Sequence, residues 1–288
     1  LVGTDLSNTD LTETDFYYVD LTNAILPEVG LTGKNFTYTR FNNVDLSGKD
    51  LSLSDFSHTK LDNTNLENTN LSFAKFILVD FTKIKNKSLA GANLYGTSFA
   101  NSNLSSVSLA GASLEQNNFF KANLSGQDFT VVSDMRVLGT VYKHADLSNS
   151  NFEGVSLFGD KVQGLVGKNM AHLVDKPLPE LVELIKPTFF NSVFVDTVAF
   201  IPHLIRIDGN DLTLSFYFTG SFSDANLQNV NFLNADLRLV SFQNANLSHA
   251  NLSGADLTGA DLTGADLTGV LLDTAILDCK NHSICKNN

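Results

Sequence analysis

The sequence predicts an all-β repeat fold in which the chain turns a corner every five residues. A large apolar residue, called the centre below, recurs at this interval forty times, and every centre is Leu or Phe. In thirty-four of the forty repeats, the residue two positions before the centre is Ala, Val, Thr or Ser. A period of five matches neither an α-helix nor a β-strand. It fits a coil that directs one large and one small side chain inward from each side.

The centres fall into four blocks, separated by breaks of different kinds. They occupy residues 6–81, 89–129, 147–157 and 222–277. At the first break, consecutive centres are eight residues apart, three more than the period. The residues between them include three lysines, which predicts a small surface loop. At the second break the pattern fades, although Val137 and Tyr142 stay in five-residue phase with Leu147.

The repeat resembles the pentapeptide-repeat family, whose pattern is Ala-Asp/Asn-Leu-X-X. Three consecutive Ala-Asp-Leu-Thr-Gly repeats, beginning at Ala255, Ala260 and Ala265, carry the resemblance most plainly. It extends over about 200 of the 288 residues. The resemblance implies a right-handed quadrilateral parallel β-helix with four pentapeptides in each coil. Forty repeats would then make about ten coils, stacked at roughly the 4.8 Å spacing of β-strands.

Six repeats break the rule of a small residue two positions before the centre. The small inward site adjoins a neighbouring wall of the coil, where a bulkier side chain would clash. We therefore expect a distorted corner or an outward-turned side chain at each exception. The exceptions are Lys34, Lys49, Lys87, Asn117, Gln127 and Gly220.

The breaks divide the chain into four segments. Residues 1–157 form N-terminal repeat coils, 158–217 a non-repeat insert, 218–278 C-terminal repeat coils, and 279–288 a tail with both cysteines. Leu157 and Phe222, the centres on either side of the insert, are 65 residues apart, a multiple of five. The coil can therefore leave and rejoin in register.

The sequence of the insert predicts a mixture of short helices and a β-hairpin. Apolar residues at helical spacing predict a helix over 162–174, and Pro179 opens a second that ends before Pro187. Apolar runs at 203–207 and 212–218, on either side of Asp-Gly-Asn, predict the hairpin. Because loops on rigid scaffolds often carry function, we expect this insert to bind a partner. The expected binding residues are Leu181, Leu184, Phe194, Phe200, Leu204, Phe216 and Phe218.

Composition and motifs narrow the classes of function. The chain has 31 acidic and 19 basic residues, so we expect no direct binding to nucleic-acid phosphates. No apolar run approaches the roughly 18 residues of a membrane span. The six histidines show no ligand spacing, and no Ser or Thr has a base at a fixed offset. We expect no enzyme activity, no cofactor and no metal. A β-helix carbohydrate enzyme would need clustered carboxylates in a cleft, which uniform walls do not offer.

The two cysteines, Cys279 and Cys285, lie in the tail. We predict a disulfide that pins the last coil. The alternatives are free thiols or a metal site, for which Cys279, His282 and Cys285 provide three ligands where tetrahedral zinc takes four. A disulfide favours an exported location, whether periplasmic, extracellular or in an organelle lumen.

Fourteen acidic residues directly precede a centre, among them Asp236, Asp256, Asp261 and Asp266. They have two interpretations. One is an array of charges that imitates nucleic-acid phosphates. The other, which we favour, is that Asp or Asn at this position hydrogen-bonds the backbone of the following turn.

Two functions remain after these exclusions. The first is a non-enzymatic structural scaffold that binds a protein partner, whose identity the sequence does not specify, through the insert and the lateral faces. The alternative is an acidic DNA mimic, like the members of the resembled family that bind and protect a type II topoisomerase. The rod shape and the net charge of −12 fit the alternative. The cysteine pair and the lack of an apolar C-terminal helix count against it.

Overall fold

The computed structural model describes residues 1–133, 140–167, 200–208 and 211–286. The repeat segments wind into a right-handed quadrilateral β-helix, which confirms the predicted fold. Each coil pairs with the next through single parallel bridges between residues twenty apart, such as Asp45 and Asn65. An offset of twenty residues is four pentapeptides, so each pentapeptide forms one wall of the coil.

The centres fill the interior of the rod. From Leu6 to Leu262, every centre that the structure describes is buried, and the last three are partly buried. A β-turn follows most centres: for example, Val44 N–H donates to Phe41 C=O at 2.9 Å. The residue two after the centre often has a positive φ, as at Asn43, where φ is 60°. This backbone conformation favours Gly and Asn at that position.

Eight Phe centres and Tyr142, which is in phase with them, stack along one wall of the rod, one from each of nine successive coils, and we call them the aromatic column. Neighbouring ring centroids lie 4.7 to 5.6 Å apart, in the range of favourable offset stacking. The column therefore adds ring-to-ring contacts to the burial of apolar surface. Its members are Phe16, Phe36, Phe56, Phe76, Phe99, Phe119, Tyr142, Phe222 and Phe242.

Tyr142 is the one polar member of the aromatic column, and we predict that Tyr142→Phe stabilises the protein. Its hydroxyl is fully buried and has no hydrogen-bond partner among the described residues. Burial raises the pKa of this phenol well above its usual value. Removing an unpaired buried hydroxyl should raise the free energy of unfolding by about 1–2 kcal/mol. Urea unfolding of both proteins measures the change. A less stable variant would show that the hydroxyl has a hydrogen-bond partner.

The small inward site also carries hydrogen bonds between coils. Where this residue is Thr or Ser, its hydroxyl can donate to the carbonyl of the centre in the preceding coil. Thr64 donates to Phe41 at 2.8 Å, and Ser150 donates to Leu124 at 3.0 Å. The hydroxyl gives a hydrogen bond to a carbonyl that faces the interior. This explains why Thr and Ser occur at this site as well as Ala and Val.

Two amide side chains at this site correct our expectation of outward-turned residues. Asn117 and Gln127 are both buried. Asn117 Nδ2 donates to the backbone carbonyl of Leu94, and Gln127 Nε2 donates to that of Leu104. Like Thr and Ser at this site, each amide donates a hydrogen bond to a backbone carbonyl of the preceding coil, so these side chains can be buried.

Two lysines correct the same expectation. Lys34 and Lys49 are also buried. Lys34 Nζ donates to the Thr12 carbonyl, and Lys49 Nζ lies 2.6 Å from a carboxylate oxygen of Glu28. Each ammonium thus has a partner that offsets its loss of water. Lys87 instead is exposed with a φ of 49°, which agrees with the expected distortion.

The lysine-rich slip forms two short 3₁₀ helices, Phe81–Lys83 and Lys85–Lys87. The bridge from Asn70 to Asn93 spans this slip with an offset of 23 residues instead of twenty. The three extra residues therefore stay on the surface, as predicted, and the coils continue above them. The second break also has offsets of 23, and residues 134–139 within it lie outside the described part of the chain.

The insert contains a three-stranded antiparallel sheet. Its strands are β1 at Phe158–Gly167, β2 at Phe200–Asp208 and β3 at Asp211–Thr219, in the order β1-β3-β2. β2 and β3 pair antiparallel, which confirms the two strands of the predicted hairpin.

The helix predicted over 162–174 is wrong where the structure describes it. Val162, Leu165 and Val166 lie in β1 and not in a helix. Gly164 and Gly167 weaken helix propensity in this stretch, and pairing with β3 supplies its backbone hydrogen bonds. Met170, Leu173 and Val174, and the helix predicted after Pro179, lie outside the described residues.

The rod continues in register across the insert, as predicted. Val141 bridges to Ser221 and Asn151 to Asn231, with an offset of 80 residues. Where the insert joins the coil, Gly220 N–H donates to Leu157 C=O at 3.1 Å, the bond that an ordinary turn makes after a centre. A Cβ added at Gly220 would lie 2.7 Å from a terminal methyl of Leu157, so any larger residue at this junction would force the Leu157 side chain to shift.

Candidate functional site

The expected binding residues of the insert fall into two groups. Phe200 and Leu204 lie in β2, and Phe216 and Phe218 lie in β3. Phe200 is opposite Phe218 in the backbone register. The sheet therefore places these four on neighbouring strands. Leu181, Leu184 and Phe194 lie outside the described residues, and a part in binding stays a prediction for all seven.

Cys279 and Cys285 form a disulfide, as predicted. Both are buried at the end of the rod, where Lys286 N–H donates to Leu277 C=O at 2.9 Å. The bond uses both thiols that the alternative zinc site would have needed. Within the described ranges, no group of three or more His, Cys, Asp or Glu side chains is placed to hold a metal ion. No described helix is long and apolar enough to span a membrane.

The acidic residues before the centres hydrogen-bond their own turns, which supports the interpretation that we favoured. Asp10 Oδ1 accepts the Thr12 backbone N–H at 2.9 Å and the Thr12 hydroxyl at 2.6 Å. These bonds, the hydroxyl first, lower the pKa of Asp10. The same pair of bonds recurs at Asp256, Asp261 and Asp266.

Asp261 provides a test of these turn bonds through pH. Partial burial raises the pKa of this carboxyl, but the Thr263 hydroxyl, the Gln243 amide, the Thr263 N–H and the Asn281 amide lower it to about 2. The folded-state pKa is below the unfolded value of about 3.9, so Asp261 stabilises the fold above pH ~4 and loses that effect as the pH falls toward 2.

We predict that Asp261→Asn lowers stability at pH 7 by about 1 kcal/mol, a value discounted for solvent exposure, and flattens the stability profile between pH 4 and pH 2. Urea midpoints measured across that range give the profile. Asp273→Asn, which changes an exposed carboxylate, serves as the control. An Asp261→Asn profile parallel to that of the wild type would contradict the assignment.

The sequence did not predict a groove at one corner of the first coils, which we call the corner groove. It has a volume of 290 Å³ and runs between a row of rings and a row of charged groups. Each row takes one residue from each of three successive coils. The rings are Tyr18, Tyr38 and His58, the charged residues are Asp20, Arg40 and Lys60, and Val19 completes the lining.

The tyrosines of the corner groove occupy turn positions with left-handed backbone. Tyr18 has a φ of 60° and Tyr38 a φ of 61°. A residue with a Cβ pays roughly 1–2 kcal/mol in this conformation, which Asn tolerates better. The next corner of the same coils follows the common rule: Asn23, Asn43 and Asn63 occupy the equivalent positions and bond to each other through their side chains. The groove therefore carries rings at positions where turn chemistry favours Asn.

The rings are exposed and contact each other. Tyr18 is 75% exposed and Tyr38 44% exposed. Tyr38 stacks on His58 with ring centroids 4.6 Å apart, and Tyr17, 54% exposed, meets the Tyr38 ring edge-on at 6.1 Å. These contacts hold the rings at the surface as an aromatic patch instead of burying them.

The charged row is net positive in a protein of net charge −12. Arg40 lies 3.5 Å from Asp20, with both side chains partly exposed. Lys60 is exposed and has no carboxylate within 4.0 Å among the described residues. The groove can therefore bind by stacking and by attraction of negative charge. A signal for it does exist in the sequence: Tyr, Tyr and His stand two residues after Phe16, Phe36 and Phe56, centres twenty residues apart, at the position where Asn and Gly prevail.

Comparisons with known proteins agree with the repeat. The family model for pentapeptide repeats matches eight copies, over residues 1–26, 16–52, 50–85, 88–126, 221–259 and 241–278. No curated protein sequence gives a significant match.

Two solved structures illustrate the similarity. HetL, a pentapeptide repeat protein involved in heterocyst differentiation regulation in the cyanobacterium Nostoc, is 23% identical. Its match covers 85% of this chain and 88% of HetL, with a TM-score of 0.39. Full-length QnrB1, a plasmid-mediated fluoroquinolone resistance protein, is 14% identical, with coverage of 83% and 84% and a TM-score of 0.38.

Proposed function

Since this chain belongs to the pentapeptide-repeat family, we propose that it is a non-enzymatic structural scaffold that binds a protein partner through its insert and lateral faces. One observation carries the proposal: the coils pair in register on both sides of the insert, from Val141–Ser221 to Ser156–Asp236. The rod therefore does not need the insert to continue. An added unit that the rod can do without is available for binding.

The strands of the insert support this role. β1 and β2 are the outer strands of the described sheet, and outer strands present unpaired N–H and C=O groups. A partner can add a strand at such an edge, where main-chain hydrogen bonds give affinity. The rod offers no such edge along its walls, because each coil pairs with the coils on both sides.

The turn bond between Gly220 and Leu157 shows how to remove the insert. Replacing residues 158–219 by Ser-Gly restores a five-residue spacing from Leu157 to Phe222. We expect this deletion variant to keep its β circular dichroism and a cooperative melt, because repeat stability is roughly a sum of unit and neighbour terms.

The same variant tests partner binding. Tagged wild-type and deletion proteins are used to capture partners from a native extract of the source cells. We expect partners that bind the wild type to be lost from the deletion variant. Loss of the β circular dichroism signal would show that the rod needs the insert to fold. Capture of the same proteins by both variants would show that partners bind the coil walls and not the insert.

The acidic DNA mimic is the second candidate, and the ionised carboxylates favour it. Aspartate is ionised at neutral pH, and the net charge of the protein is −12. Hydrogen bonds within the turns lower the pKa of Asp5, Asp10, Asp20, Asp50 and Asp266 further. A supercoiling assay with a bacterial type II topoisomerase and its inhibitors tests this. Protection of the enzyme, with no shift of duplex DNA by the protein alone, is the result that this candidate requires.

A further inference from the structure

We propose that the corner groove binds an acidic, extended segment of a protein partner. The proposal rests on the proposed scaffold function, since it takes the partner to be a protein. It names the part of the lateral faces that binds, which is formed by Tyr18, Tyr38, His58, Arg40 and Lys60. It also names the chemistry of the segment that binds there.

The rings provide the apolar part of the surface. Tyr and Arg are enriched among the residues that dominate binding energy at protein interfaces. Tyrosine supplies a large contact area with few rotatable bonds, so little conformational entropy is lost on binding. Tyr18 and Tyr38 are exposed in a backbone conformation that disfavours them, while the adjacent corner has Asn at each equivalent turn. Leu53 and Leu78 share this backbone conformation, so what distinguishes the corner groove is that its exposed rings stand beside exposed cations.

The charges select an acidic partner. Arg40 and Lys60 stand in a groove of a protein whose net charge is −12, so an acidic segment is repelled by most of the surface and attracted here. Asp20 occupies only one side of Arg40, at 3.5 Å, and Lys60 has no carboxylate within salt-bridge distance among the described residues. Carboxylates of the partner can therefore bind both cations.

The shape of the groove favours an extended segment over a folded surface. The two rows run along the rod, one residue per coil, and they enclose 290 Å³. The backbone at this corner is already paired between coils, as in the bond from Arg40 N–H to Val19 C=O, so a partner cannot add as a strand. Recognition must come from side chains, as in aromatic-lined grooves that bind extended proline-rich peptides. We therefore expect an apolar residue on the rings and acidic residues beside it.

A peptide-display selection against the full-length protein tests the proposal. We expect selected peptides to be enriched in Asp and Glu next to Pro or another apolar residue. The best synthetic peptide is then titrated against variants by fluorescence polarisation. Tyr38→Asn and Arg40→Asn should each weaken binding by about tenfold or more, as for residues that dominate an interface. Asn43→Ala, at the same turn position of the adjacent corner, should leave the dissociation constant unchanged.

A second measurement separates binding from a structural role. Tyr38→Asn restores the common turn residue, so its melting temperature should equal or exceed that of the wild type while binding is lost. A lower melting temperature with unchanged binding would overturn the proposal. Selection of basic peptides, or of peptides indifferent to Tyr38 and Arg40, would overturn it as well. Groove-dependent binding of polygalacturonate, an acidic polysaccharide, without any groove-dependent peptide would assign the groove to another class of ligand.

The test is independent of the insert. The variant with Ser-Gly in place of 158–219 keeps the corner groove, and we expect it to bind the selected peptide as the wild type does. If the groove variants still bind the peptide, the groove proposal is wrong but the role of the insert is unaffected. If the insert deletion still captures every partner, the role of the insert is wrong but the groove proposal is unaffected.

Discussion

Leu257→Asp is expected to destabilise the C-terminal coils by more than about 4 kcal/mol, the largest effect of any substitution considered for this protein. Leu257 is a centre with no exposed surface, and Leu237 and Ala260 are buried beside it in the same core. A carboxylate there loses its water and meets only apolar side chains. The residue would have to be protonated or the coil would have to open, and both outcomes cost stability.

Leu271→Asp is the matched control. Leu271 directly precedes a centre, is 56% exposed, and occupies the position where fourteen other repeats carry an acidic residue. We expect this change to leave the melting temperature the same or to raise it, because Asp at this position bonds the following turn. Thermal melts of the two variants decide the matter. Equal midpoints would show that the inward and outward positions have been confused.

Phe56→Ala is expected to cost about 3–5 kcal/mol, the range for removal of a fully buried phenylalanine. The Phe56 ring lies 4.8 Å from that of Phe36 and 4.9 Å from that of Phe76, so truncation interrupts the aromatic column as well as leaving a cavity. The coils on either side cannot close the gap, because each is held at a fixed spacing by its backbone bridges.

Phe73→Ala provides the comparison, because Phe73 lies one coil away at a turn, with a φ of 59° and a partly exposed ring. Its loss should cost less than about 1 kcal/mol. Urea unfolding measures the loss of stability in both variants, and hydrogen exchange shows which coils are destabilised. Since each coil contacts only its neighbours, faster exchange should be confined to coils near Phe56. Equal costs for the two phenylalanines would contradict the stacked column.

The repeat could be predicted from the sequence because its causes are local. Each pentapeptide contains its own centre, its own small inward residue and its own turn, so the period of five specifies the inward positions without knowledge of distant contacts. The same arithmetic predicted that Leu157 and Phe222 keep the same phase across the insert. The disulfide was predictable for a related reason, since Cys279 and Cys285 are close in sequence and are the only cysteines.

Other features depended on contacts between coils, which the sequence of one repeat does not contain. Lys34 and Asn117 point inward because a carbonyl of the preceding coil accepts a hydrogen bond from each. Val162 lies in a strand because β3 pairs with it, which overrides the helical spacing of its apolar residues.

The corner groove depends on contacts of the same kind. Its rings come from repeats twenty residues apart, and only the stacking of coils brings Tyr18, Tyr38 and His58 together. The coil, its inward positions and the register of its walls can therefore be predicted from the sequence, because they follow from residues within each repeat. Which exceptions are buried, which strands pair and where a binding surface forms cannot, because these features depend on atoms that meet only when the coils stack.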